Sequence, residues 1–145
     1  MGKLKLVIML WATMFFFNSC TTYYISVDSF KNQFGKMDRS NFKDVTVEGP
    51  SWDKVKYKTF PNEVVKCIDK KGNNVELKMK PTLEIRFTDT VNYRTTFYLD
   101  RIFVSDITIS GRQSSFLNIT KEIPLGTIKK IEVQNDGKSF HYVKR

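Results

Sequence analysis

Beyond Phe42 the apolar residues of this chain fall at every second position, in short runs parted by turn residues. In VELKM, Val75, Leu77 and Met79 alternate with Glu76 and Lys78; in TLEIRFTD, Leu83, Ile85 and Phe87 alternate with Glu84 and Arg86. A period of two gathers the apolar side chains on one face of a pleated strand. Similar short strands or strand fragments recur in KDVTVEG, DKVKYKT, YRTTFYLD, RIFV, DITISG, SFLNI, KEIPL, IKKIEVQ and SFHYVK. EVVKCIDK is apolar on both faces, the pattern of a central strand covered on two sides. GPSW, KKGNN and NDGK supply turns, the last expected to close a hairpin between IKKIEVQ and SFHYVK. Pro81 lacks the N–H that a ladder needs, and so ends the VELKM strand. No long helical segment separates the strands, which disfavours parallel βαβ winding. The expected fold is all-β: an antiparallel sandwich or a small, partly open barrel.

One segment keeps a helical period. In SVDSFKNQFGKM, Phe30, Phe34 and Met37 lie on one face of a short N-terminal helix. Ser26 or Asp28 can accept hydrogen bonds from the free N–H groups of its first turn, while Gly35 weakens its interior.

Ahead of that helix the chain reads as a leader. Lys3 and Lys5 precede a 12-residue apolar run, Leu6 to Phe17, followed by Asn18, Ser19 and Cys20. As a helix such a run rises only about 18 Å, short of the roughly 30 Å hydrocarbon core of a bilayer. It has the length and flanks of a secretory signal peptide. The FNSC ending resembles the lipobox of bacterial lipoproteins, in which the cysteine receives a diacylglycerol and becomes the first mature residue. Ser19 matches that pattern, whereas Phe17 and Asn18 depart from its strict form and match relaxed versions in Bacteroides-type bacteria. The organisation this implies is a signal peptide over 1–19, a tether over 20–25 and a single β-rich domain over 26–145. Lipidation at Cys20, with palmitate-like chains, would hold the protein to a membrane, since each buried methylene contributes about 0.8 kcal/mol. No acidic run follows Cys20, and TTYYISVD points to the periplasmic face of the outer membrane.

Charge narrows the partners. The chain carries 24 Lys and Arg against 15 Asp and Glu. This balance favours anionic neighbours in the cell envelope, such as glycan or lipid, or an envelope protein. Basic residues occur in runs no longer than two, so no nucleic-acid arm is expected. Lys54, Lys56 and Lys58 form a basic row on one strand face. Trp52 lies in a polar turn, where a large ring either tucks onto a neighbouring strand or serves recognition. These four residues are the candidate surface contacts.

Catalytic and metal chemistry find little footing. His141 is the one histidine, alternating with Phe140 and Tyr142, and is expected to face solvent. With Cys20 acylated, Cys67 has no second thiol: neither an intramolecular disulfide nor a zinc cluster is expected, and Cys67 reads as core. Ser114 and Ser115 lack the surroundings of a nucleophile elbow. Asp89, Asp100 and Asp106 read as turn-forming or salt-bridging acids, and Arg86, Arg94, Arg101 and Arg112 as cross-strand partners for Glu84 or Asp100. No cofactor is implied.

The segments CIDKKGN, LEIRFTD, RTTFYLDRIFV, ISGRQSSF and IPLGTIKKIEVQNDGK together resemble a group of small lipoproteins of Bacteroides-type bacteria, over about Asp69 to Tyr142. IPLGTIKKIEV is also similar to a strand–turn–strand element of bacterial pleckstrin-homology-like domains. The resemblance implies a fold and a lipidated Cys20, with no catalytic residue to carry over. The function expected is a membrane-anchored, non-enzymatic envelope binding module; the alternative is an envelope hydrolase or hydrolase inhibitor acting on glycan or peptide.

Overall fold

The computed structural model describes residues 20–114 and 119–145. The expected leader, residues 1–19, and residues 115–118 of SFLNI lie outside them. Among the described residues twelve strands are present: β1 (Tyr23–Ile25), β2 (Lys43–Glu48), β3 (Lys54–Thr59), β4 (Val64–Ile68), β5 (Asn74–Lys78), β6 (Leu83–Asp89), β7 (Arg94–Tyr98), β8 (Ile102–Val104), β9 (Thr108–Arg112), β10 (Thr120–Pro124), β11 (Ile128–Asn135) and β12 (His141–Lys144). A helix, α1 (Val27–Phe34), follows β1. The strands form three antiparallel sheets in the orders β5-β4-β1-β11-β6-β7, β10-β9-β8 and β12-β2-β3, none closed into a barrel. The all-β expectation holds in its sandwich form.

The alternation places Leu83, Ile85 and Phe87 of β6 on one face of the large sheet, where all three are buried. α1 covers that face. Its N-cap is Ser26, whose Oγ accepts from the Ser29 N–H at 3.1 Å, and Gly35 ends it. Phe30 packs edge-on against Phe87 at 5.3 Å and Phe34 against Phe60 at 5.4 Å. Burying each such ring contributes about 1.5–3 kcal/mol. The β8–β9–β10 sheet covers the same face beside the helix, bringing Ile102, Val104, Ile109 and Ile123 into the core. It approaches closely at Gly111, where a Cβ would stand 2.7 Å from the Phe97 ring.

Three expectations need correction. Residues 20–25 do not form a tether throughout: Tyr23–Ile25 is β1, which pairs with both β11 and β4, and Ile25 is buried. Such a short strand leaves part of β4 without a neighbour, and α1 supplies one. The Gln33 side chain donates to the Lys66 carbonyl at 3.0 Å and accepts from the Lys66 N–H at 2.8 Å, as a strand's peptide group would. Second, IKKIEVQ and SFHYVK form no hairpin. Both edges of β11 are taken, by β1 and β6, so the chain passes on and β12 pairs with β2 in another sheet. Third, EVVKCIDK is covered on one face only: Val65 and Cys67 are buried, while Val64 and Ile68 face solvent. In β7 both Phe97 and Tyr98 are buried.

Candidate functional site

The small β12-β2-β3 sheet has two unlike faces. Register sets Val45 opposite Tyr57 and Val47 opposite Val55, with Tyr142 across from Val47, so these five share the inner face. Lys54, Lys56 and Lys58 share the outer face, opposite Glu48, Thr46 and Asp44. The basic row is therefore partly answered by acids one strand away. Lys54 Nζ lies 3.6 Å from Glu48 and Lys58 Nζ lies 3.2 Å from Asp44. Trp52, at the tip of this β2–β3 hairpin, is not tucked. The residue is 81% exposed, on a backbone with φ of 64° that side-chain-bearing residues rarely adopt. The Trp52 N–H closes the turn by donating to the Gly49 carbonyl at 3.1 Å.

The inner face carries a polar knot that sequence reasoning missed. Asp100, in a single 3-10 turn (Leu99–Arg101) after β7, has no exposed surface. Its Oδ2 accepts from the phenols of Tyr57 on β3 and Tyr142 on β12, the latter at 2.7 Å. Its backbone carbonyl accepts from Thr59 Oγ1 at 2.6 Å. Arg101 Nε stands 3.5 Å from Asp100 Oδ1, an ion pair without hydrogen-bond geometry. The Arg101 guanidinium lies over the rings of Tyr57 and Tyr98, at 4.3 and 4.7 Å from their centroids. Burial pushes the Asp100 carboxyl above the ordinary carboxylate range; Arg101 and the two phenols pull it down without cancelling that effect. Burial, then the Asp100 charge, holds both phenols well above the usual tyrosine range. The knot fastens two strands of the small sheet to the large sheet's β7–β8 connection.

Beside the knot opens a groove of about 290 Å³. Four cations line it: Arg39 from a 3-10 turn (Arg39–Asn41), Lys58 from β3, Arg101 and, from β9, Arg112. Phe42 and Phe103 supply an aromatic wall, with ring centroids 6.1 Å apart, and the Arg39 guanidinium stacks 4.1 Å over Phe103. No carboxylate is among the described lining residues. Of the candidate contacts read from sequence, only Lys58 reaches this groove; Trp52, Lys54 and Lys56 do not line it. Among the described residues the cross-strand arginine pairings expected with Glu84 or Asp100 do not form: Arg101 meets Asp100 as its own chain neighbour, and Glu84 accepts from Gln134.

Cys20 is exposed, with Sγ 3.2 Å from the Asn135 carbonyl, at the rim of a cleft of about 610 Å³ lined in part by Tyr23, Leu77, Lys78, Lys80 and Leu83. Cys67 is buried in the core, unpaired with Cys20, and burial pushes its thiol up to about 12. His141 is exposed opposite Glu48, and among the described residues no hydrogen bond joins it to a serine or an acid. Among the described residues, no cluster of three or more His, Cys, Asp or Glu side chains could hold a metal ion, and no helix is long and apolar enough to cross a membrane. Searches of family models, curated proteins and solved structures return no match to this chain.

Proposed function

We propose that the chain is a lipid-anchored lipoprotein of a bacterial cell envelope, held at the outer membrane facing the periplasm, whose β domain is a non-enzymatic binding module. The observation that carries the reading is Cys20: an exposed thiol directly after a signal-like leader and just ahead of the first core strand. Only Thr21 and Thr22 separate it from β1. Two extended residues span about 7 Å, so an acylated Cys20 would hold the domain against the headgroup layer. The binding part of the reading is supported by clefts whose linings combine cations with apolar and aromatic side chains. An anionic envelope glycan, lipid or protein face is the partner class the charge favours. Metabolic labelling with an alkyne fatty acid tests the anchor. The wild-type protein is expected to carry label and sediment with membranes, and Cys20→Ser to lose both. Label retained by Cys20→Ser would sink the anchored reading.

A further inference from the structure

We propose that the groove framed by Arg39, Lys58, Arg101 and Arg112 is a binding site for a phosphate monoester. Four segments distant in sequence bring like charges to one concavity, an arrangement that costs free energy through repulsion unless an anion offsets it. Two of the charges are already answered: Lys58 by Asp44 at 3.2 Å and Arg101 by Asp100 at 3.5 Å. Among the described residues, Arg39 and Arg112 have no acid within ion-pair distance. Two positive charges thus stand uncompensated at one small opening. A phosphate monoester carries about −1.5 to −2 at neutral pH and offers three acceptor oxygens. It neutralises both arginines, where a carboxylate would leave one unanswered.

The geometry is prepared for such a ligand. Arg39 is held over Phe103 at 4.1 Å, and Arg101 is 7% exposed between two tyrosine rings. Little side-chain freedom remains for binding to remove. Guanidinium forks match phosphate oxygens in pairs, which a lysine-only patch does not. The wall of Phe42 and Phe103 gives the carbon body of the ester a surface to lie on. A volume of about 290 Å³ suits a phosphate with a sugar-sized or glycerol-sized substituent. The inference stands apart from the anchor, because none of these residues depends on what Cys20 carries.

The phosphate can come from a soluble sugar phosphate or from a phosphomonoester lipid headgroup. The full chain in non-ionic detergent, titrated with glucose 1-phosphate by calorimetry, tests the first source. Flotation with phosphatidylcholine vesicles containing phosphatidic acid tests the second. Binding in either arm is expected, with acetate binding neither measurably nor competitively. Arg39→Gln and Arg112→Gln should each weaken it roughly tenfold, as loss of a charge-assisted contact does. Lys54→Gln, on the outer row away from the groove, should change it by less than about twofold. Circular dichroism confirms that the variants fold. Binding in neither arm overturns the proposal, as does an equal loss in Lys54→Gln, which would mean diffuse surface attraction. Failure here leaves the acyl-labelling result untouched, so the two readings fall separately.

Discussion

The two faces of the β12-β2-β3 sheet carry the same chemistry to opposite effect. On the outer face Asp44 meets Lys58 at 3.2 Å, with side chains 81% and 65% exposed. On the inner face Asp100 meets Arg101 at 3.5 Å, with side chains 0% and 7% exposed. The outer pair is the closer, yet water screens it, and exposed pairs of this kind contribute about 0–1 kcal/mol. The inner pair has given up its hydration and depends on its neighbours, so losing one partner strands the other as a buried charge. Burial, and not separation, ranks them. The outer pair adds little to stability, whereas the inner knot sets how the small sheet sits on the large one.

The comparison breaks or sharpens at three points. Asp100→Ala leaves the Arg101 guanidinium buried without an acid, and is expected to cost about 3–5 kcal/mol by urea unfolding. A loss no greater than that of Asp44→Ala would erase the distinction between the faces. Tyr142→Phe removes one donor to Asp100 Oδ2 and is expected to cost about 1–3 kcal/mol. It also carries a pH signature. Both phenols titrate higher in the folded protein than the ordinary value of 10.0. Above about pH 10 the unfolded chain therefore sheds protons that the folded protein keeps, and stability falls as pH rises. Tyr142→Phe should flatten that alkaline decline in the urea midpoint; an unchanged slope would show that the phenol is not held as described. The smallest effect is on the outer face. Asp44→Ala should shift stability by less than about 1 kcal/mol, and less still at high salt.

Much of the fold was legible because its signals are local. The alternation in VELKM and LEIRFTD, the helical spacing of Phe30 and Phe34, the Ser26 cap and the turn glycines act within a few residues. The partners of those elements were not legible. NDGK has the residues of a hairpin turn, and Gly137 does adopt a φ of 74°, yet the strands on either side belong to different sheets. That outcome depends on β1, three residues long, occupying the free edge of β11 from over 100 positions away. The candidate site was harder still. Asp100 beside Arg101 looks like any surface pair, and the one legible hint was that Leu99 and Ile102 flank it. Lys58 was singled out as part of a row, while its groove partners Arg39 and Arg112 stand in segments with no shared pattern.

The sequence by itself determined which stretches beyond Phe42 extend, where they turn and which cysteine follows the apolar run of residues 6–17. Those properties follow from backbone preference and side-chain period within each segment. Only the tertiary structure decided which strands became neighbours, which aspartate lost its water and which four cations came to share one groove. Each of these depends on distant residues competing for the same edge or the same enclosed space.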